Sequence, residues 1–159
     1  MILPIIFAIH NLEEWLTIDR FLPLVRRRAP DWAAPLLEGV HQEGFRDALL
    51  IVTIVGVVIG LWALLRPHSQ AALWTLLLLL AVLLLNVASH LGSAVFLRGY
   101  SPGVASAVLL NLPFSVYVFR GALREGWLSR AGFLALVPAA LVVHGPLLIA
   151  FLFVTSRGA

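Results

Sequence analysis

The chain is 159 residues long, 61% hydrophobic and only 12% charged, with a mean hydropathy of +0.99; a soluble domain carries about a quarter of its residues as charges. That composition excludes an ordinary water-soluble domain and makes lipid the expected solvent. Cysteine is absent, which removes disulfides, thiolate metal sites and cysteine nucleophiles and leaves nitrogen and oxygen as the only metal donors.

Crossing a hydrocarbon core of about 30 Å takes about 20 mostly apolar residues. The first candidate span, Ile2 to Ile18, is short and carries His10, Glu13 and Glu14 in its second half. Its apolar start lacks a basic region before it and runs straight into acidic residues, so it reads as a retained helix rather than a cleaved leader. An interfacial loop is expected from Asp19 to Phe45, with Pro23, Pro30 and Pro35 breaking regular structure and Trp32, Arg26, Arg27 and Arg28 anchoring it to headgroups. Four clear spans follow, Arg46 to Leu65, Ala71 to Leu97, Val104 to Leu123 and Ala131 to Val154, joined by tight turns. The expected architecture is all-α, a polytopic transmembrane helix bundle of about five spans forming a single domain over residues 1–159.

All eleven basic residues are arginines and lie mainly in the short connections. No basic face is long enough to track phosphates, so nucleic acid is not an expected partner. With five crossings, Arg20, Arg26, Arg27, Arg28, Arg46, Arg98 and Arg157 share one side, against Arg66, Arg120, Arg124 and Arg130 on the other. The positive-inside rule then places the N-terminus outside and the C-terminus in the cytoplasm of a bacterial inner membrane.

Alternating direction also sets depth. His10, Glu13 and Glu14 in the first span, Asn86 and His90 in the third and His144 in the fifth all fall past the middle of helices running the same way. The second and fourth spans run oppositely, so His41, Glu43 and Asp47, and Tyr100 with Asn111 deeper in, reach the same half. Glu13 and Glu14 flank His10 within one helical sector, and Asn86, Ser89, His90 and Ser93 form a polar stripe on a Leu-rich helix. A charged residue near the centre of a span costs about 2.5 to 3.5 kcal/mol. Adjacent carboxyls there must be neutralised, paired or bound to a cation.

The segments His10-Asn-Leu-Glu13-Glu14, Asn86-Val-Ala-Ser-His90 and Tyr100-Ser-Pro102-Gly103 follow one another in the chain. Together they resemble the HXXEE-domain proteins, small membrane proteins with HxxEE, NxxxH and YxPG motifs in that order. The resemblance implies a membrane protein with these residues at its site and names no chemistry. His41, Asn111 and His144 lie outside the motifs and rest on the depth argument alone.

His10, Glu13, Glu14, His90 and His144 are the candidate ligands of a divalent metal, zinc, iron or manganese, because inward-facing imidazole and carboxylate in helix bundles suit those ions. Glu13, Glu14, His90, Asn86 and Tyr100 are the candidate catalytic residues, with Asn86 and Tyr100 orienting substrate. His41 and Glu43 are expected in a solvated loop, Tyr100 to Gly103 in a tight turn, and His144-Gly145-Pro146 at a helix break. The leading expectation is a membrane-embedded enzyme acting on a lipid-like or isoprenoid substrate drawn from the bilayer. The alternatives are a metal-free acid–base isomerase or cyclase, a proton- or cation-translocating protein, and a structural subunit whose polar cluster only holds helices together. Gly56 and Gly60 form a GxxxG pair that permits close packing within the chain or a homodimer.

Overall fold

The computed structural model describes residues 2–28, 31, 35 and 40–157. The regular elements among them are all helical: α1 (Ile2–Arg28), α2 (Gln42–Leu65), α3 (Gln70–Leu97), α4 (Val104–Arg124) and α5 (Arg130–Ser156). The last four are long and apolar enough to cross a membrane. α1 equals them in length at 27 residues, but its acidic middle lowers its apolarity.

α1 lies antiparallel along α2 in one continuous register. The Pro4 ring sits over Gly60 and the Phe7 ring over Gly56, so closely that a Cβ at Gly56 would come within 2.5 Å of the ring. Further along, Asn11 donates to Thr53 Oγ1 at 2.7 Å, and Arg46 reaches Asp19 at 2.5 Å. The two glycines therefore serve packing inside the chain, where missing side chains let helices approach. The far end of α5 closes onto the start of α2, with Ser156 against Gly44 and accepting from the His41 N–H at 3.3 Å.

α3 supplies the inner spine. Leu77, Leu80, Leu83, Val87 and His90 recur at helical spacing and are all buried. Leu3 and Phe7 of α1, Phe119 of α4 and Leu136 of α5 pack against it. The outward faces are apolar as well: Ile5, Leu16, Val58, Leu109, Tyr117 and Val154 are exposed. Apolar surface on so many sides is what lipid, rather than water, accommodates.

The interfacial loop is shorter than expected at both ends. α1 continues through Pro23 to Arg28, and α2 begins at Gln42 rather than Arg46. Pro23 removes one helical hydrogen bond, but Ile18 and Leu22 in the turns just before it remain buried, and three arginines in the last turn suit the negative end of the helix dipole. Arg26 donates to the Val40 carbonyl at 2.5 Å and Arg28 to the Leu97 carbonyl, so these side chains tie neighbouring helix ends together. Pro30 and Trp32 lie outside the described residues.

Two spans carry π-helical segments, Ala107–Asn111 in α4 and Val143–Leu147 in α5. The expected break at His144-Gly145-Pro146 is this second segment. Each involves a proline, Pro113 just after the first and Pro146 within the second; lacking an N–H, proline frees a carbonyl one turn back, and a widened turn redistributes the bonding.

Gly56→Ala should lower stability in detergent by about 1–3 kcal/mol, the usual cost of overpacking. Combining it with Phe7→Leu should recover much of the loss, as read from thermal unfolding midpoints.

Candidate functional site

The HxxEE segment of α1 meets two partners, the middle of α3 and the turn that opens α4. Its two glutamates point to different ones. Glu13 faces the start of α4: its Oε1 accepts from the Tyr100 hydroxyl and from the Ala105 N–H at 3.1 Å, and its Oε2 accepts from the Ser106 N–H at 2.7 Å. α4 has no capping side chain of its own, since Gly103 occupies the cap position. A carboxylate from another helix thus satisfies the free N–H groups at the positive end of the α4 dipole. Burial and the neighbouring Glu13 carboxylate push the Tyr100 phenol up to about 12, which keeps it a neutral donor.

Glu14 turns instead toward the histidines. Its Oε1 lies 2.9 Å from His90 Nε2 and 3.7 Å from His10 Nε2. The imidazoles meet edge to face, with centroids 4.9 Å apart. One donor atom from each of His10, Glu14 and His90 falls within a 4.8 Å sphere of mutual distance. Donors held about 2.0–2.1 Å from a tetrahedral zinc are roughly 3.4 Å apart, and the two measured contacts straddle that spacing. His10 is completely buried, and Glu14 and His90 keep 12% and 11% of their side chains exposed, so the cluster is largely but not wholly shielded.

Hydrogen bonding fixes the His10 tautomer. Ser106 Oγ donates to the Gly103 carbonyl at 3.3 Å, so it accepts from His10 Nδ1–H at 2.9 Å. The Nε2 lone pair then points into the cluster, where the Asn86 amide nitrogen approaches to 2.6 Å. Turning that amide over presents its carbonyl oxygen to the same centre. His90 Nε2 is buried and, despite its closeness to Glu14, makes no hydrogen bond among the described residues. Such an unsatisfied nitrogen beside a carboxylate and a second imidazole is the arrangement a cation completes.

The turn before α4 fits the same cluster. Gly103 has φ of +78°, and a Cβ there would meet Glu14 Cγ and His90 Cε1 at 2.8 Å. Glycine is required twice over, by backbone conformation and by space. All three sequence motifs therefore form one unit, HxxEE supplying a cap and two of the three donor atoms, NxxxH the third donor and the neighbouring Asn86, and YxPG the floor.

Other predicted residues fall around this centre. His144 lines, with Asn86 and Glu14, a cavity beside the cluster and bonds Ser89 Oγ at 3.0 Å; it is outside the three-donor cluster. Tyr100 is held by Glu13 and packs on Phe21. His41 and Glu43 are exposed at the start of α2, and Ser93 is exposed on α3. Asn111 is fully buried, and neither of its amide atoms is partnered among the described residues. Sequence reasoning missed Ser106 and Asn11. The signal for Ser106 was its place one turn into a helix opened by Pro102-Gly103.

Residues 1–118 match the family described as "Protein of unknown function with HXXEE motif". The chain belongs to this HXXEE family. It is 26% identical over 117 residues to the "Uncharacterized protein YrkK" of Bacillus subtilis (strain 168), an alignment covering 70% of this chain and 66% of the relative. No solved structure matches. The family match takes in all of the motif residues and stops within α4, so His144 lies beyond it.

Glu13→Gln should destabilise the fold by about 1–2 kcal/mol, the scale of a carboxylate at a partly buried helix N-terminus. Glu14→Gln should leave the thermal midpoint of the metal-free protein nearly unchanged, although the two residues are neighbours.

Proposed function

We propose that the chain is a membrane-embedded enzyme that binds a divalent metal, zinc, iron or manganese, through His10, Glu14 and His90 and acts on a lipid-like or isoprenoid substrate. The observation that carries this reading is the buried three-donor cluster with an unsatisfied His90 nitrogen at its centre. Three protein donors rather than four is the pattern of a catalytic rather than a structural site. A metal held there supplies Lewis-acid polarisation and a lowered barrier to deprotonating bound water. The remaining work belongs to the chain: Ser106 fixes the His10 tautomer, Asn86 borders both His10 and the cavity, and the apolar walls exclude bulk water.

A lipid-like substrate is supported by the adjoining cavity of about 460 Å³, whose lining is apolar except around Asn11, Glu14, Thr75, Asn86 and His144. In this reading the chain sits in a bacterial inner membrane with its N-terminus outside. The distribution of arginines supports that orientation, since Arg26, Arg28, Arg46 and Arg98 gather at the end of the bundle nearer the site.

A second reading has its own supporting contact. The Asn86 amide at 2.6 Å occupies the His10 lone pair that a metal would use, and the 2.9 Å Glu14–His90 pair can then act without metal, one member removing a substrate proton while the other delivers one. The product of such an exchange is a shifted double bond or a cyclised chain.

Elemental analysis of detergent-purified protein decides between them. The metal reading expects one ion per chain, lost in Glu14→Gln and His90→Ala and retained in His144→Ala. Ser106→Ala should weaken metal affinity by about 10- to 100-fold, the usual effect of removing a ligand's hydrogen-bond partner. Protein free of zinc, iron and manganese after gentle purification leaves the acid–base reading.

A further inference from the structure

The cavity beside the site runs along the bundle, and apart from Thr75, whose hydroxyl is already bonded to the Ala71 carbonyl, its polar groups lie away from its ends. Asn11 donates to Thr53, which fixes the level of the polar belt on α2, and Glu14 lies one turn further along α1 on the same wall. On α2 the cavity lining extends from Phe45 to Ile59. At ~1.5 Å per residue it reaches about 12 Å beyond Thr53 toward Phe45 and about 9 Å toward Ile59, and from the level of Glu14, one turn of about 5 Å nearer Phe45, the two arms are about 7 Å and about 14 Å long. One arm is walled by residues such as Val55, Ile59 and Leu79, and the other by Phe45, Leu148 and Phe151.

We infer that the occupant is a linear apolar chain whose reacting group lies in its interior, an unsaturated or isoprenoid chain with hydrocarbon on both sides of the site. The inference rests on the lipid-substrate reading above. A phospholipid headgroup or fatty carboxyl placed at Glu14 would leave one apolar arm unfilled and bring a second polar end to a carboxylate. An internal double bond places only weakly polar carbon beside Asn86, Glu14 and His144, and both arms are then filled by alkyl chain. The combined length of about 21 Å is shorter than the ~30 Å hydrocarbon core, so the chain lies within the bilayer's own depth and can enter laterally.

The test uses the purified full chain in detergent with two photoprobes, long-chain alcohols bearing a diazirine at mid-chain or at the terminal carbon, and maps adducts by mass spectrometry. The mid-chain probe should label Glu14, Asn86 or His144, and the terminal probe should label the arms and spare those residues. Ile59→Trp and Leu148→Trp, each filling one arm, should each abolish mid-chain labelling at the belt. Labelling of the belt by the terminal probe, adducts confined to outward residues such as Val58 and Leu109, or an arm-filling variant without effect would overturn the inference. Elemental analysis of the same labelled preparation, purified without chelator, separates it from the metal reading. Mid-chain labelling of the belt in a protein shown to hold no metal removes the metal reading and upholds the chain; stoichiometric metal with labelling outside the cavity does the reverse.

Discussion

The Glu13 carboxylate sits at the open end of α4, where two backbone N–H groups and the Tyr100 hydroxyl converge on it. In a low-dielectric surround an anion with three donors and a helix dipole is compensated, whereas each of those N–H groups left alone would carry the cost of an unmade bond. That one contact fixes α1 against α4, and the rest of the site follows from it. It holds Ser106 beside His10 and presses Gly103 against Glu14 and His90. Without the cap, the turn would lose its anchor, and the tautomer of His10 would lose the hydroxyl that sets it.

Two adjacent glutamates in one membrane-length helix thus resolve into different physical roles. A helix turns by about 100° per residue, so neighbouring side chains diverge, and here the divergence spans the gap between α3 and α4. One carboxylate is neutralised by hydrogen bonds from backbone and phenol; the other lies against the imidazoles of His10 and His90 and, among the described residues, accepts no backbone or hydroxyl donor. The second lacks an internal compensation comparable to the first, and this asymmetry is the physical basis for assigning a cation, or a shared proton, to Glu14 rather than to Glu13.

Much of this was legible in the residues. Alternation of helix direction was enough to bring His10, Glu14, Asn86 and His90 together, whereas the polar stripe of α3 is only half inward, since Asn86 and His90 face the bundle while Ser89 and Ser93 are exposed. What sequence did not separate was Glu13 from Glu14, since angular position on α1 says nothing about which neighbour lies beyond. The extension of α1 past Pro23 was hidden for a related reason: prolines and an arginine cluster read locally as a loop, while burial of Ile18 and Leu22 against the bundle is a tertiary fact. His144 was placed at the right depth and at a real helix break, yet its ring is directed to Ser89, a rotational detail that a proline-widened turn leaves open.

The division between α5 and the rest bears on how such a site is built. The donors His10, Glu14 and His90, with Asn86, Gly103 and Ser106, all lie within the region shared with the family. α5 lies outside that region, and it contributes His144, Leu148 and Phe151 to the cavity. The polar centre is fixed by packing among α1, α3 and α4, through the close approach at Gly103 and the hydrogen bonds of Glu13, His10 and Ser106. The wall supplied by α5 makes mainly apolar contacts, which tolerate exchange of one hydrocarbon side chain for another far better than a ligand geometry does. α2 and α3 wall the same cavity through residues such as Phe45, Ile59 and Leu79, so α3 serves both the donor cluster and the wall, while the apolar side chains of α5 can change without disturbing the atoms at the centre.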